Sequence, residues 1–513
     1  MKLIYGVKDK PKFKDVLVFA FQQLLAIMAA TIAVPAIVGN GMTASAALFG
    51  AGVGTLVYQL FTRFRSPVFL GSSFAFLGSM FAAFAGGVAM ELGFFGLILG
   101  AAFAALVYVV IAIIVKAVGV KWISKLMPAV VIGPIVAIIG LSLAGNAVGD
   151  MMKGDVMKPV PAYEIKVVDP AAEDCTEEDL ANIPEGVVPD ASGVYRYVVE
   201  EEGAAMAASP LVALVCALVT LFVVILCSTF GKKKLRLIPF IIGILAGYAV
   251  ALCFTLIGSK TGNDALKIID FTPFRNLFDG GVSFKTFITV PEFSFLKAIK
   301  GMSSVTPAYV GTIAVAYIPV AFVVFAEHIA DHKNLSTIIE KDLLTDPGLS
   351  RTLLGDGVGS FVGALFGGCP NTTYGESIGC VAITGNASVV SITGAAILAL
   401  LISFISPFVA FLDSIPSCVM GGVCMTLYGF IAVSGLKMLQ PVDLNENRNL
   451  FVASVILIAG VGGLVLEFAL PGGQAITITS VACALILGIV TNLILSGKKK
   501  ASGEPDEPQQ LIK

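Results

Sequence analysis

The chain has 513 residues, of which 57% are hydrophobic and 13% charged, with a mean hydropathy of +0.92 and a net charge of −2. Soluble domains carry about 25% charged residues, so this composition excludes a soluble protein and predicts many membrane spans. Nine cysteines without C-x-x-C spacing favour neither a disulfide framework nor a zinc site. The lysines near the start precede a long span rather than a short apolar region, so no signal peptide is expected.

Four apolar segments are predicted in the first 125 residues. The first, Val16–Val38, carries the polar pair Gln22-Gln23, and the second covers Ala44–Thr62. The third, Pro67–Phe76, is interrupted by glycine and serine and is too short to cross as one helix, so we expect a β-like break there. The fourth runs from about Phe94 to Val115.

A fifth span, Pro128–Gly145, is rich in small residues suited to close helix packing. Residues 149–203 then hold 14 acids and 4 bases, which predicts a solvated insertion outside the membrane, with a short hairpin near Val194–Val199 and no role in transport. Two further spans, Pro210–Phe230 and Pro239–Gly258, precede a polar loop that ends near residue 305.

The eighth span ends in the most unusual sequence of the chain. An uncharged run, Ile313–Val324, is followed by Glu327, His328, Asp331 and His332, and these two histidines are the only ones in the chain. At helical spacing the two acids share one face and the two imidazoles the neighbouring face. An ionisable residue inside a membrane predicts a functional site. The alternative is that the membrane ends here and that Asp331 and His332 are already in water.

Six more segments bring the predicted total to fourteen. They are Leu353–Gly368, the broken segment Cys369–Thr384, Val389–Phe411, Pro416–Val433, Leu450–Leu470 and Ala475–Leu495. With fourteen spans and a cytoplasmic N-terminus, the basic clusters at 63–65, 116–125, 232–236, 333–351, 437–448 and 498–500 all lie inside, and the acidic insertion lies outside.

The two halves of the chain resemble each other at offsets of about 300 residues. Pro128–Gly133 resembles Pro416–Gly421, and the broken segment at Pro67 resembles the one at Pro370. Seven spans per half force opposite orientations, so we predict an all-α polytopic protein with a seven-plus-seven inverted repeat, which is a transporter architecture. Matching broken segments indicate the binding site.

The residues near these breaks suit a planar heterocycle with ring N–H and C=O groups. Broken helices leave backbone N–H donors free, Glu327 and Glu376 accept hydrogen bonds, and Phe74 offers a flat face for stacking. An ordinary core role for Phe74 is the alternative. Neither broken segment contains Lys or Arg, which disfavours an anion.

Pro370–Thr384, with its Asn-Thr-Thr-Tyr-Gly-Glu sequence, together with Phe325–His328 and Gly71–Phe76, resembles the nucleobase–ascorbate transporter family. The resemblance covers the chain apart from the insertion. It implies a core domain of spans 1–4 and 8–11, a gate domain of spans 5–7 and 12–14, and nucleobase transport coupled to a cation. The corresponding ranges are core 1–125 and 306–411, gate 126–258 and 412–497, an extracellular loop at 259–305 and a cytoplasmic tail at 498–513.

Within the family, a glutamate at position 376 resembles uracil permeases, whereas Asp331 stands where a uracil permease pattern has histidine and purine carriers have aspartate. Ser377 and Gly385 also depart from the common residues. The resemblance implies a uracil importer of the plasma membrane with both termini cytoplasmic. Its expected residues are Glu327, Glu376, Phe74, Ser73, Tyr374 and Gly375 for substrate, Glu327, Asp331 and His328 for the proton, and Tyr428 at the gate.

Other interpretations stay open at this point. They are a xanthine or purine permease of the same family, an anion carrier or channel on the same fold, and an intramembrane metalloenzyme using His328 and His332. The last has its glutamate outside the histidine pair, unlike H-E-x-x-H, and shows no third ligand. The expected partners are a nucleobase and the lipid bilayer, with homodimerisation undecided and no nucleic acid. No cofactor or metal is expected, and H⁺ is the expected coupling ion.

Overall fold

The computed structural model describes residues 3–119, 122, 127–170, 183–184, 187–190, 192–232, 235, 238–279, 281–469 and 475–502. Much of the middle of the acidic insertion, parts of the basic clusters at 116–125 and 232–236, and the tail beyond residue 502 lie outside these residues. Within the described part the chain is mainly helical, with three two-stranded antiparallel sheets. The predicted helical class is therefore confirmed.

The first half contains eight of the helices and three of the strands in the described part. In chain order they are α1 (Phe13–Val38), α2 (Ala44–Phe61), β1 (Leu70–Ser72), α3 (Leu77–Phe84), α4 (Met90–Val118), α5 (Ala129–Ser142), α6 (Ala144–Asp150), β2 (Met157–Val168), β3 (Tyr195–Met206), α7 (Pro210–Phe230) and α8 (Pro239–Thr261). A 3₁₀ turn, Phe74–Phe76, joins β1 to α3.

The second half begins with three short helices in the predicted polar loop and continues with the longest helix described. Its elements are α9 (Thr272–Asn276), α10 (Phe284–Phe287), α11 (Ser294–Gly301), α12 (Pro307–Ile339), α13 (Leu349–Gly367), β4 (Asn371–Thr373), α14 (Gly375–Thr384), α15 (Val389–Ile402), α16 (Ser406–Asp413), α17 (Ser417–Met438), α18 (Asn447–Val461), β5 (Leu466–Ala469), β6 (Ala475–Ile478) and α19 (Ser480–Ser502).

Eight of the described helical segments are long and apolar enough to cross a membrane, with α5 and α6 counted together. Four shorter apolar helical stretches accompany them, at Phe74–Phe84, Val389–Ile402, Asn447–Val461 and Ser480–Ser496. These helices establish a multi-pass membrane protein, while the count of fourteen spans stays a prediction.

Three predicted late spans differ from single helices. Span eleven is two helices, α15 and α16, because Pro407 lies in the first turn of α16, where proline starts a helix and cannot continue the preceding one. Span thirteen stops being helical at Val461, next to Gly463 with a left-handed φ of 70°. The chain then forms β5, which pairs with β6 at the start of span fourteen, Leu466 opposite Ile478.

The predicted short hairpin in the insertion is much longer in the structure. Strands β2 and β3 have twelve residues each and pair from Met157 opposite Met206 to Val168 opposite Tyr195. Prediction from composition missed the first strand because its acids and lysines hide the apolar and β-branched residues that favour strands.

The base of this hairpin is attached to the membrane domain. Asp155 accepts hydrogen bonds from Ser417 at the start of α17, 2.6 Å from its hydroxyl and 3.2 Å from its amide nitrogen. Burial raises the pKa of Asp155 above its ordinary value, and the bonds from Ser417 act in the opposite direction. The Asp155 amide also donates to the carbonyl of Ile268 at 3.1 Å. The hairpin therefore extends from a fixed point.

Helices α2 and α13 pack backbone against backbone, next to the second broken segment. A Cβ on Gly50 would lie 2.5 Å from the carbonyl oxygen of Gly363, and one on Gly54 would lie 2.7 Å from that of Gly359. Small residues permit such approach between membrane helices. Asn371 of β4 adds a hydrogen bond from its amide nitrogen to the carbonyl of Gly50, at 3.1 Å. These contacts fix where the second broken segment starts.

Candidate substrate site

The two broken segments meet each other in the protein interior. Strand β1 pairs antiparallel with β4, with Leu70 opposite Thr373 and Ser72 opposite Asn371. The amide of Ser73 donates to the carbonyl of Pro370 at 2.9 Å. Prediction of a break in segments three and ten is thus confirmed, and the pairing satisfies backbone groups that would be costly inside a membrane.

Helix α14 begins directly after this strand pair and directs its N-terminus into a cavity. Tyr374 is its N-cap, Gly375 its first residue and Glu376 lies in its first turn. The first amides of a helix have no partner within the helix, so the backbone at Gly375 presents N–H donors to the cavity. Glu376 is partly buried beside them.

Helix α12 supplies the other acids. Glu327 and Asp331 are both partly buried and both line the cavity, as their four-residue spacing predicts. The hydroxyl of Thr373 donates to Asp331 Oδ2 at 2.6 Å, which attaches α12 to β4. Asp331 therefore lines the cavity beside Glu327 and is held by a residue of the second broken segment.

The cavity measures about 490 Å³, and a smaller chamber of about 50 Å³ adjoins its inner end. Glu327, Gly375 and Glu376 line both spaces. Phe74 and Tyr374 line the inner chamber. The structure therefore brings five of the predicted substrate residues to one place.

Phe74 and Tyr428 are in direct contact. Their rings meet edge to face, with centroids 5.7 Å apart and planes at 82°. Because Phe74 comes from the turn after β1 and Tyr428 from α17, the contact joins the first broken segment to a helix predicted to belong to the gate. The Phe74 side chain is only 8% exposed, so it is part of the buried core, and it also lines the inner chamber.

Two predicted residues have side chains turned away from the cavity. The hydroxyl of Tyr374 donates to the carbonyl of Ser72 at 2.6 Å, so Tyr374 offers the site only its backbone. The Ser73 side chain is fully buried and lines neither chamber. What Ser73 contributes is the hydrogen bond from its backbone amide to the carbonyl of Pro370, which joins the two broken segments.

Both histidines lie on the side of α12 away from the cavity and are fully buried. His328 Nδ1 lies 2.7 Å from Asp356 Oδ2 and its Nε2 lies 3.0 Å from Thr352 Oγ1. The alternative that His332 is in water does not hold, because its side chain is fully buried and its Nε2 lies 2.7 Å from the hydroxyl of Tyr58.

The remaining nitrogen of His332, Nδ1, lies 2.8 Å from the carbonyl oxygen of His328. A carbonyl only accepts, so this nitrogen carries the proton and Nε2 accepts from Tyr58 when the ring is neutral. All four imidazole nitrogens therefore have protein partners, which disfavours metal binding. Within the described residues, no group of three His, Cys, Asp or Glu side chains gathers around a point.

Sequence reasoning missed the apolar residues opposite the acids. Val136 and Ile139 of α5 and Ile431 of α17 line the inner chamber. The repeated Pro-containing starts of these two spans hinted at equivalent helices, but apolar side chains in a membrane protein carry no signal that separates a ligand contact from packing. Gln23, which was singled out, donates instead to the hydroxyl of Ser377.

Helices that can cross a membrane, together with two paired breaks and a cavity lined by carboxyl groups and a helix N-terminus, define a multi-pass membrane transporter. The sequence matches the profile of a family described as the Permease family over residues 14–169 and 191–467. This chain belongs to that family of nucleobase–ascorbate transporters, and it is a transporter rather than an enzyme.

Its sequence relatives match over nearly their whole length. It is 35% identical to the uracil permease of Bacillus caldolyticus over 512 residues, 99% of this chain and 98% of that protein. It is 32% identical to the uracil permease of Escherichia coli (strain K12) over 491 residues, 95% of this chain and 93% of that protein.

Two solved structures share the fold at low identity. The transmembrane domain of the cyanobacterial bicarbonate transporter BicA has a TM-score of 0.55 at 13% identity, covering 95% of this chain and 100% of that one. SLC26A9 has a TM-score of 0.57 at 12% identity, covering 95% of this chain and 66% of that one. At such identities the likeness shows the fold alone.

Proposed function

We propose that the protein imports uracil together with a proton. The observation that carries the proposal is the inner chamber, where Glu327, Glu376, the N-terminus of α14 and Phe74 face one space. The names of its relatives, uracil permeases at 32 to 35% identity, support the choice of base.

The chemistry of the chamber matches the edge of a uracil ring. Uracil presents two N–H donors that flank one carbonyl, with a second carbonyl beyond. Glu327 and Glu376 accept from the N–H groups, and the backbone amides near Gly375 donate to carbonyl oxygen. Phe74 packs against the ring face. A ligand that lacks these donors would leave buried carboxyl oxygens without partners, which costs affinity.

The proposed proton site is Glu327. Removing a carboxyl from water favours its neutral form, and a second acid, Asp331, lies one helical turn away on the same face. Protonated Glu327 avoids an uncompensated charge and still accepts a hydrogen bond. His328 is a weaker candidate than its position in the sequence indicated, because Asp356 and Thr352 hold its ring away from the cavity.

The proposed architecture is a seven-plus-seven inverted repeat with a core and a gate domain working by alternating access. Two contacts support it: the equivalent broken segments β1 and β4 pair with each other, and the equivalent spans α5 and α17 pack together. The wide end of the cavity is lined by Ser228, Ser434 and Met438, which lie within four residues of the basic residues Lys232 and Lys437 in the sequence. With basic loops cytoplasmic, this is an inward-facing state in a plasma membrane, with both termini inside. The oligomeric state we propose is a homodimer.

A purine permease is the second candidate, and the observation that favours it is Asp331, which lines the cavity at a position where the family's purine carriers have aspartate. Anion transport, the function printed for the fold neighbours, has less support. The described side chains that line the cavity include three acids and no Lys or Arg.

The test is uptake of labelled uracil by cells that lack their own uracil permease, with competition by uracil, xanthine, hypoxanthine and bicarbonate. We expect uptake that uracil alone suppresses at low concentration, and that collapses when a protonophore removes the pH gradient. Stronger suppression by xanthine would select the purine candidate. Uptake that responds to bicarbonate and to no base would overturn the proposal.

A further inference from the structure

The inner chamber has two chemically different sides. Its described acids, Glu327 and Glu376, belong to α12 and α14. The chamber is also lined by the branched apolar side chains of Val136, Ile139 and Ile431, which come from two other helices, α5 and α17. We call these three residues the apolar wall. Val136 and Ile139 are 7% and 4% exposed, so both are largely packed against protein, and Val136 and Ile431 also line the larger cavity.

The backbone behind the apolar wall is fixed by direct contact between α5 and α17. A Cβ on Gly140 would lie 2.3 Å from the carbonyl oxygen of Tyr428, and one on Gly435 would lie 2.3 Å from the amide nitrogen of Ala137. Glycine at these positions permits this close packing of the two helices. Valine and isoleucine side chains are also restricted at χ1, so the wall cannot easily withdraw from a larger ligand.

The orientation of the ligand follows from the two sides. If the carboxyl groups accept from both ring N–H groups, the carbonyl between them points toward α12 and α14. The atom across the ring from that carbonyl, C5, then faces the apolar wall. A substituent at C5, or a second ring fused at C5 and C6 as in xanthine, extends toward the wall.

We infer that Val136, Ile139 and Ile431 restrict this transporter to unsubstituted single-ring bases by steric exclusion at C5. The inference rests on the proposed uracil function and adds to it the residues that set ligand size. The acids hydrogen-bond to the N–H edge of the ring, which uracil, thymine and xanthine share. Selectivity among these bases therefore depends on the apolar wall. One methylene in an apolar pocket changes affinity by about 10- to 200-fold, which is ample for this purpose.

The experiment is equilibrium binding to purified full-length protein in detergent, with uracil, thymine and xanthine as ligands. In wild type we expect uracil to bind at least about tenfold more tightly than thymine or xanthine. In Ile431→Ala and Val136→Ala we expect that preference to fall about tenfold or more, mainly because thymine and xanthine gain affinity. Uracil itself loses a few-fold, since one apolar contact is removed.

Val433→Ala and Leu141→Ala are the matched controls. They lie on the same two helices, with side chains 48% and 41% exposed, and should leave the preference unchanged. Should one wall variant fail to fold, the other and Ile139→Ala carry the test.

Each remaining result is decisive. Wild-type protein that binds uracil and thymine equally, or wall variants that keep both uracil binding and the wild-type preference, would overturn the inference and leave the proposed function standing. Wild-type protein that binds no uracil would overturn both.

Discussion

Glu376 combines a residue type with a backbone position. It lies in the first turn of α14, where free amides and the positive end of the helix dipole surround it, and it is partly buried in the cavity. In the proposed function, the carboxyl group accepts from a ligand N–H next to amides that donate to a ligand carbonyl. One turn of helix thus supplies both halves of the recognition pattern.

Replacing Glu376 by Gln tests this role. We expect uracil affinity to fall about five- to 150-fold, because an amide that turns its N–H toward a ligand N–H leaves a buried pair unmade, at about 1–3 kcal/mol. Binding to purified protein measures the effect, with Glu467→Gln on the exposed strand β5 as control. Unchanged affinity would remove Glu376 from the site, whereas new xanthine binding would support a role in base selection.

Replacing Glu327 by Gln separates binding from coupling. Glutamine resembles the protonated acid, since it keeps a donor and an acceptor, but it cannot release a proton. We expect binding to survive in part and accumulation driven by a pH gradient to disappear. In wild type, uracil affinity should rise as the pH falls, because the neutral acid is the competent form. A mutant that keeps the full pH dependence would place the proton elsewhere, with Asp331 next.

At the scale of elements, one hydrogen-bonded contact attaches the acidic insertion to the start of helix α17. Helix α17 begins at Ser417, whose amide and hydroxyl donate to Asp155 from the loop before β2. An acid at this position acts as an N-cap supplied from another part of the chain. The insertion thus contains a structural base, at Asp155, and an exposed arm, β2 and β3 beyond it.

The base should matter for stability. We expect Asp155→Ala to lower the free energy of unfolding by about 1 kcal/mol, the usual cost of losing a helix cap, because the start of α17 loses its acceptor. Asp155→Asn keeps an acceptor oxygen and is the control. Thermal unfolding of the two purified variants measures the difference, and equal melting temperatures would show that Ser417 finds another acceptor.

The arm should be dispensable. We expect replacement of residues 159–204 by a short Gly/Ser linker, with Asp155 retained, to leave uracil uptake close to that of wild type. Closing a loop of different length changes the entropy cost only slightly, and among the described strands β2 and β3 pair only with each other. Loss of uptake with normal membrane insertion would instead assign the arm to the gate or to an assembly interface.

At the scale of the whole molecule, the cavity lies between two groups of helices. Helices α12 and α14 supply the acids, and α5 and α17 supply the apolar wall. Tyr428 of α17 also contacts Phe74, which comes from the turn after β1. The cavity is wide near Ser434 and narrow near Phe74, which supports the inward-facing state proposed above.

Cysteine labelling tests the direction of opening. Ser434 is exposed and lines the wide end of the cavity, so we expect Ser434→Cys to react with a membrane-impermeant thiol reagent in inside-out vesicles, above the wild-type background. Uracil should slow the reaction. Ser192→Cys, at the exposed tip of the hairpin, should react only from the other side. The reverse pattern would invert the proposed orientation.

The sequence alone determined the class and the central acids. Apolar segments must be buried in lipid, so composition and length predicted membrane helices, and glycine and serine in two short segments predicted the breaks at β1 and β4. Glu327 and Glu376 stood out because a carboxyl inside an apolar segment is too costly without a function. Helical periodicity also separated Glu327 and Asp331 from the histidines on the neighbouring face.

Only the tertiary structure decided which of these residues meet. The pairing of β1 with β4, the Asp356 partner of His328 and the Asp155 cap on Ser417 join residues 28 to 303 positions apart. The apolar wall could not be predicted from the sequence. Val136 and Ile431 are apolar residues like most others in the membrane segments, and only their neighbours in the fold show that they line the cavity. Local sequence specifies which elements form, whereas contacts between distant side chains depend on how the elements pack.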